Sequence, residues 1–396
     1  MTTESSLADV LAWLFRTPPP PAVERKAREQ ALDTLGCVIA GRRHAEVGAY
    51  ARALEAADPG SAASAAALFA AAACWDEACE GLARAHGRPG LAVLGACHAL
   101  AQKKPFTLDE MLAAYITGYE VGGRLGEAMR IGPGMHVDGN WPAFGVAAAV
   151  VRLLGGDAAQ ALAAIRIVAC QLPNSLYLPV AAGANARNTY LSHAAQLGML
   201  AAYAALGGIV APENALRGNA IAPAGEWLIL EAYLKPYAAV RHVHYGAAAA
   251  QALRAEIDCR KINAIELSTY QEALTYCGNR APVTPIQAQF SLSYGVACML
   301  VTGELGPASY AMDDPEILRL EKKIVLSEDA SLAARGATLT VAIGEKKFKK
   351  RIEQVSGDPS LPMSREEILA KFARYAGRDG SAFLEAPGNQ AWKFET

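Results

Sequence analysis

Apolar residues in the first 230 or so positions recur at the spacing of amphipathic helices. Residues 7–16 carry leucine, valine and tryptophan at helical intervals, and the prolines at 18–21 end that pattern. Thr107 and Glu110 form a capping-box pair that marks another helix start. Further helices are predicted over residues 23–39, 59–75, 143–154, 157–171 and 188–206. No strand is predicted in this part of the chain.

The pattern changes after His244. Residues 264–270 alternate apolar and polar positions in the strand period, and residues 337–353 predict two strands joined at Gly344-Glu345. More helices are predicted over residues 247–257, 285–303, 313–323 and after the capping pair Ser364 and Glu367. Because 396 residues exceed the usual span of one hydrophobic core, we expect two domains in a mainly α protein with a mixed α+β second part.

Composition and charge narrow the class of protein. The chain is 52% hydrophobic and has a formal net charge of −2. The basic run at 346–351 is typical of a strand or sheet edge with a solvated face, so we expect no nucleic-acid partner. The longest uncharged runs, 59–75 and 167–186, are rich in alanine or broken by proline, so we expect no membrane span. The first ten residues lack the pattern of a secretory signal, which predicts a cytoplasmic protein.

Several common chemistries find no support in the chain. The eight cysteines contain no CxxC pair, and in a cytoplasmic protein they are expected to be buried apolar residues rather than disulfides or zinc ligands. The sequence also lacks a GxGxxG loop after a strand, a Walker loop, an HExxH motif and a GxSxG motif. We therefore expect no metal site and no nucleotide cofactor.

The segment from Lys235 to Tyr245 concentrates ionisable groups. It places Lys235, Arg241, His242 and His244 within ten positions. If the segment is extended, the two histidines share one face while Arg241 points the other way. A nearby cation favours the neutral imidazole, which is the form that takes a proton. The alternative is a polar domain junction with cations that reach to solvent.

Residues 75–90 form a second candidate. Asp76 and Glu80 are four apart and would share a helix face, where two like charges need a cation between them. Arg84, His86 and Arg88 follow closely enough to supply it. The alternative is a solvated helix end.

Two further segments combine glycine or a helix start with ionisable groups. His136 lies on the glycine-rich loop 132–142, which suits a pocket wall. Arg187 opens the helix predicted at 188, and its charge adds to the free N–H groups of a helix start, a good arrangement for holding a carboxylate.

The order of these segments resembles the MmgE/PrpD family, which includes 2-methylcitrate dehydratase, cis-aconitate decarboxylase and iminodisuccinate epimerase. The matching segments span nearly the whole chain in family order: ALDTLGCVIAG (31–41), 76–90, AYITGYEVGGRLG (114–126), His136 with FGVAAAVVRLLG (144–155), HAAQLGMLAAYAALGGIVAP (193–212), KPYAAVRHVH (235–244), PVTPIQAQFSLSYGVACML (282–300) and LPMSREEILAKF (361–372).

This resemblance implies a large helical domain (1–238), an inserted smaller α+β domain (239–356) and a C-terminal return to the helical domain (357–396). It also implies a cofactor-free site without metal in the cleft between the domains, a small carboxylate substrate and a homodimer.

The resemblance carries over to individual positions. By their match to the family, the implied catalytic residues are Asp76, His86, His136 and His244, and the implied substrate-binding residues are Glu80, Arg187, Lys235, Arg241 and Tyr294. Glu80 stands where the dehydratases and decarboxylases usually have threonine, and Arg187 where they usually have lysine. Because both changes alter carboxylate binding, they put 2-methylcitrate and cis-aconitate themselves in doubt as substrates.

The function expected from these residues begins with removal of a proton beside a carboxylate. That step needs a neutral base, fixed positive charge and a proton donor. We expect a lyase, with a hydro-lyase of a small hydroxy-carboxylate as the first hypothesis. An epimerase of an amino- or imino-dicarboxylate, a decarboxylase, and a non-catalytic binding protein of the same family remain alternatives.

Overall fold

The structure, a computed structural model, describes residues 3–129, 131–216, 218–332 and 335–396. Its first part is helical, as predicted. The helices of this part are α1 (Thr3–Arg16), α2 (Pro21–Gly41), α3 (Ala45–Ala57), α4 (Ala62–Cys74), α5 (Gly90–Ala101), α6 (Leu108–Ala128), α7 (Pro142–Leu153), α8 (Ala158–Ala169), α9 (Leu178–Ala182) and α10 (Tyr190–Leu206). The capping box predicted at the start of α6 is present, since Thr107 and Glu110 each accept a hydrogen bond from the other's backbone N–H. The sequence did not predict α3 and α5.

Small residues allow the helices of this domain to pack closely. α6 crosses α7 at Gly118 and Gly145, and a Cβ on Gly145 would lie 2.4 Å from the carbonyl oxygen of Gly118. Any larger residue would push the two helices apart. The alanine-rich helix α4 is buried, as its sequence predicted.

The second part contains a four-stranded sheet and short helices. The strands are β1 (Ala264–Thr269), β2 (Ile324–Glu328), β3 (Ala337–Ile343) and β4 (Lys346–Ile352), in the order β2-β1-β3-β4. The helices are α11 (Val243–Arg254), α12 (Gln271–Cys277), α13 (Pro285–Gln289), α14 (Leu292–Thr302) and α15 (Pro315–Glu321). β1 pairs in parallel with β2 and antiparallel with β3. The basic strand β4 is the exposed edge, as expected, and its lysines disfavour pairing with another chain.

Two predictions for this part need correction. A single helix was expected over 285–303, but Ser291 divides it, because its Oγ accepts from the N–H of Tyr294 at 3.2 Å and starts α14 anew. Strand β2 was not predicted, because its sequence IVLSE follows a helix directly without a turn signal.

The chain then returns to the helical domain through α16 (Arg365–Ala376) and α17 (Ser381–Glu385). α16 packs against α2, where Lys371 Nζ donates to Asp33 Oδ1 at 2.5 Å and to the carbonyl of Ala78 at 2.7 Å. The mainly α fold with a smaller α+β part is thus confirmed. Among the described helices, none combines the length and apolar character needed to cross a bilayer.

Candidate active site

A cavity of about 780 Å³ opens where the helical part meets the small α+β part. Residues 77–88 (between α4 and α5), 126–138 (from the end of α6 toward α7) and 233–242 (ahead of α11) line most of its wall. The opposite wall includes residues of α12 and Arg335, which stands just before β3. Mostly loops carry the wall, which is usual for a site built on a rigid scaffold.

The segment between α4 and α5 is held in a fixed irregular conformation. Gly81 and Tyr233 exchange backbone hydrogen bonds of 3.1 and 2.9 Å, which ties this segment to the one that carries Lys235. A Cβ on Gly81 would lie 2.3 Å from the Tyr233 hydroxyl, so glycine is required there. Glu77 and His86 adopt φ values of 55° and 54°. Non-glycine residues rarely adopt such backbone, and when they do the strain is often found at functional sites.

Glu77 is the centre of a buried ion cluster. Its Oε2 accepts from Arg88 Nη1 at 2.8 Å and also binds Arg187. Lys235 Nζ donates to Glu77 Oε1 at 2.9 Å and to its carbonyl oxygen at 2.8 Å. Burial acts to raise the pKa of the Glu77 carboxyl, but the three cations hold it well below its usual value. Glu77 is therefore ionised at neutral pH.

Asp138 supplies the second carboxylate of this cluster. Arg88 binds it, with Nε 3.4 Å from Oδ1, and Arg187 Nη2 lies 3.9 Å from Oδ2. Among the described residues the cluster thus contains three cations and two carboxylates, all buried: Arg88, Arg187, Lys235, Glu77 and Asp138. One positive charge is in excess, which favours the binding of an anion.

His136 adjoins this cluster. The N–H of Asp138 donates to His136 Nδ1 at 3.2 Å. Ser175 fixes the loop, because its carbonyl accepts from His136 N–H at 2.9 Å and its hydroxyl donates to His136 O at 2.6 Å. Burial, and then the charges of Arg187 and Arg88, hold the pKa of His136 well below its usual value. The ring is neutral, and because Nδ1 accepts a hydrogen bond, the proton is assigned to Nε2.

Aromatic rings connect the two walls of the cavity. Tyr177 of the helical part stacks on His136 with 6.0 Å between ring centroids and meets Tyr276 of α12 edge-on at 5.5 Å. Tyr276 stacks in turn on His242 at 6.2 Å. Burial, and then nearby cations, lower the pKa of His242 to about 3, so this ring is also neutral. As the sequence indicated, the imidazoles near these cations are neutral, although burial contributes more than the cations.

The site has the character of an anion site rather than a metal site. In the described residues, no group of three or more His, Cys, Asp and Glu side chains is arranged to hold a metal ion. The two carboxylates beside His136 are already bound by arginine. What the cluster offers to a ligand is its excess of positive charge.

Two family models match the chain: the MmgE/PrpD N-terminal domain over residues 5–222 and the MmgE/PrpD C-terminal domain over residues 237–382. The chain belongs to the MmgE/PrpD family. The resemblance identified in the sequence is thereby confirmed, and membership supports an enzyme of the dehydratase type. A search of curated proteins found no significant match.

In this MmgE/PrpD protein, five of the predicted site residues line the cavity: His86, His136, Arg187, Lys235 and Arg241. Arg187 belongs to the 3-10 turn Asn185–Thr189 directly before α10, close to the helix start that the sequence predicted. Arg241 binds Asp358 of the C-terminal return, so that return helps to position the cavity wall.

Asp76 and Glu80 lie behind this wall. Because α4 ends at Cys74, they do not share a helix face, contrary to the prediction. Asp76 Oδ1 is 2.7 Å from His44 Nε2. The cation expected between the two acids, Arg88, binds Glu77 and Asp138 instead.

Glu80 is fully buried and makes only neutral hydrogen bonds. It accepts from the N–H of Gly90 at 2.8 Å and from the hydroxyl of Tyr119 at 3.3 Å. Burial raises its pKa to about 7. Glu80 does not reach the cavity, so the structure does not bring it to a bound substrate.

His244 and Tyr294 are also set back from the cavity. The segment ahead of them is not extended, because it bends after Lys235 and α11 begins at Val243, so His242 lines the cavity while His244 is buried behind it. His244 Nε2 donates to the carbonyl of Ala239 at 3.0 Å, and its Nδ1 faces Arg241 Nη1 at 3.3 Å. Both ring nitrogens are engaged, so His244 is placed to position Arg241.

Tyr294 donates its hydroxyl to the carbonyl of Ser309 at 2.7 Å and stacks on Tyr310. It packs within the small α+β part rather than along the cavity. The predicted roles of Asp76, Glu80, His244 and Tyr294 in binding or catalysis therefore lack a direct path to a ligand in this conformation.

Sequence reasoning did not assign the other charged residues of the wall: Glu77, Arg88, Asp138, His242 and Arg335. Glu77 adjoins Asp76, and the sequence does not show which of two adjacent acids faces the cavity. Arg88, Asp138 and His242 lie inside segments that the sequence did single out. Nothing in the sequence near Arg335 marks it as part of a site.

Proposed function

We propose that this protein is a lyase, specifically a hydro-lyase of a small hydroxy-carboxylate, which takes a proton from the carbon beside a carboxylate and releases water. The observation that carries this proposal is the buried cluster around Glu77, which has one cation more than it has carboxylates. A neutral histidine, His136, lies directly beside that cluster. Positive charge and a neutral proton carrier are what this reaction requires.

The cluster accounts for substrate binding. A substrate carboxylate is attracted by Arg187 and Lys235, both of which are held by Glu77 in the empty cavity. One added negative charge balances the excess positive charge of the cluster. When the proton leaves the neighbouring carbon, negative charge grows on the carboxylate oxygens, and the same fixed cations stabilise it without having to move.

His86 is the residue that we assign as the base. It is exposed at the cavity wall, and within the described part of the chain its ring makes no hydrogen bond. His136 is assigned as the proton donor, because its Nδ1 already accepts a bond and its Nε2 carries the proton. The negative charge of a bound substrate raises the pKa of nearby imidazoles, which helps His86 to accept the proton.

A specific observation also favours epimerisation as a second candidate. Neutral histidines stand on both sides of the cavity, His136 on one wall and His242 on the other. An epimerase needs one acid or base group on each face of the reacting carbon. In that reaction His242 would take the place that the sequence analysis gave to Glu80.

Proton NMR of the pure protein in D₂O tests these proposals. The candidates are citrate, 2-methylcitrate, malate, cis-aconitate, aspartate and iminodisuccinate. Deuterium beside a carboxylate together with an alkene product supports the hydro-lyase, an inverted isomer supports the epimerase, and loss of CO₂ supports a decarboxylase. The absence of exchange with every candidate would contradict the proposal and favour a non-catalytic binding protein. A homodimer in the cytoplasm is part of the same proposal.

A further inference from the structure

Most cations on the cavity wall already have a carboxylate partner. Arg88, Arg187 and Lys235 share Glu77, and Arg241 binds Asp358. In the ranges that the structure describes, Arg335 is the cavity cation that forms no salt bridge and no side-chain hydrogen bond.

The surroundings of Arg335 make this lack of a partner costly. Its side chain is half-buried just ahead of β3, among the hydroxyl-bearing rings of Tyr233, Tyr245 and Tyr270. Glu272 on α12 lines the same cavity and acts on Arg335 through its charge, but it is too distant for a salt bridge. A partly desolvated guanidinium without a counterion favours the binding of an anion.

Arg335 lies on the opposite side of His242 from the buried cluster in the chain of contacts. The charges that act on His242 include both Arg335 and Lys235, so the ring is near each of them. Lys235 belongs to the cluster that we propose for the reacting carboxylate, whereas Arg335 belongs to the small α+β part. The cavity therefore offers two separate points for binding anions.

We propose that Arg335 binds a second carboxylate of the substrate, which makes the substrate a dicarboxylate or a larger polycarboxylate. This inference rests on the proposed function, because it takes the Glu77 cluster to hold the reacting end. A guanidinium binds a carboxylate through two parallel hydrogen bonds, which fixes its orientation as well as its charge. Arg335 would thus select substrates by their second carboxylate and position the carbon between the two walls.

Calorimetric titration with succinate and butyrate tests this role, because the two probes share a four-carbon chain and differ by one carboxylate. The proteins are the wild type, Arg335→Met, Arg335→Lys and the control Arg260→Met. Arg260 is an arginine of the same part of the chain whose side chain is 84% exposed and does not line the cavity. Thermal unfolding of each variant confirms that it is folded.

The wild type is expected to bind succinate more tightly than butyrate. Arg335→Met should weaken succinate binding about 10- to 100-fold and leave butyrate binding nearly unchanged, since one charged hydrogen-bonding partner is lost. Arg335→Lys should recover part of the loss, because lysine keeps the charge without the paired geometry. Arg260→Met should match the wild type.

Three results would overturn the inference: equal binding of the two probes by the wild type, unchanged succinate binding by Arg335→Met, or equal weakening of both probes. Deuterium exchange by the wild type separates this failure from failure of the proposed function. Exchange combined with unchanged succinate binding in Arg335→Met overturns only the role of Arg335. Selective succinate binding without exchange of any candidate overturns only the proposed function.

Discussion

The segment between α4 and α5 has two sides with opposite properties. Its cavity side carries Glu77, His86 and Arg88, whereas its interior side carries Asp76 and Glu80. Glu77 and Glu80 are both buried and stand three residues apart, yet cations hold the pKa of Glu77 well below its usual value while burial raises that of Glu80 to about 7.

This difference shows that partners rather than burial decide the charge of a buried acid. Three cations make Glu77 permanently ionised and give the cavity side a fixed field. Glu80 makes bonds only to a backbone N–H and a tyrosine hydroxyl, so it can hold its proton near neutral pH. We therefore expect substitutions on the cavity side to change catalysis or charge balance, and those on the interior side to change stability and its pH dependence.

The largest effect is expected at the exposed histidine of the cavity side. His86→Asn should lower the rate of deuterium exchange by about 10²- to 10⁴-fold, because it removes the base. Asparagine is chosen since it tolerates positive φ, so the free energy of unfolding should change by less than about 0.5 kcal/mol. The matched control is His193→Asn at an exposed position of α10, which should keep the wild-type rate. An unchanged rate in His86→Asn would remove His86 from the mechanism.

Glu77→Gln tests the cluster itself. Removing this carboxylate leaves three buried cations with one acid, so the free energy of unfolding should fall by about 3–5 kcal/mol in urea titrations. Glu80→Gln at pH 4.5 is the control, because Glu80 is protonated there and the amide is nearly the same shape. A loss below about 1 kcal/mol in Glu77→Gln would show that the cluster does not depend on it.

Glu80 should make stability depend on pH. Between its usual pKa of 4.5 and its folded value of about 7, the folded state keeps a proton that the unfolded state has released. The stabilising contribution of Glu80 is complete below pH 4.5 and is lost as the pH rises to about 7, a change of about 3 kcal/mol. The stability of Glu80→Gln relative to the wild type should therefore rise over this range and then level off. A constant difference in unfolding titrations would contradict this assignment.

The smallest effect is expected at the partner of Asp76. The hydrogen bond with Asp76 raises the pKa of His44, although burial opposes it. This contribution to stability is present below pH 6.5 and is lost as the pH rises through the folded pKa of His44. Because the His44 side chain is 34% exposed, solvent screening should keep the loss in His44→Ala below about 1 kcal/mol at pH 6. A loss that grows with pH would reverse the sign and contradict the pairing.

Local signals in the sequence predicted the fold well. The capping pairs at Thr107 and Ser364 were predicted correctly because each depends on side chains only three residues apart. The strands β3 and β4 were predicted because alternation and a Gly-Glu turn occur within one short stretch. The domain bounds at 238 and 356 stay a prediction.

The candidate site was predicted only in part, because its geometry depends on contacts between distant segments. The sequence favoured Asp76, but the left-handed backbone of Glu77 turns the next acid toward Arg187, which lies 110 residues further along the chain. His244 was favoured over His242 on an extended backbone, and the start of α11 reverses that choice. Arg335 joins the cavity only when the strands fold over it.

Deuterium exchange by His86→Asn and Glu80→Gln, measured side by side on one substrate, tests the central claim most directly. If the cavity side performs the chemistry, His86→Asn loses at least about 100-fold in rate while Glu80→Gln stays near the wild type. Loss of exchange in Glu80→Gln with retention in His86→Asn would contradict the account, because it would place the chemistry on the interior side of the segment.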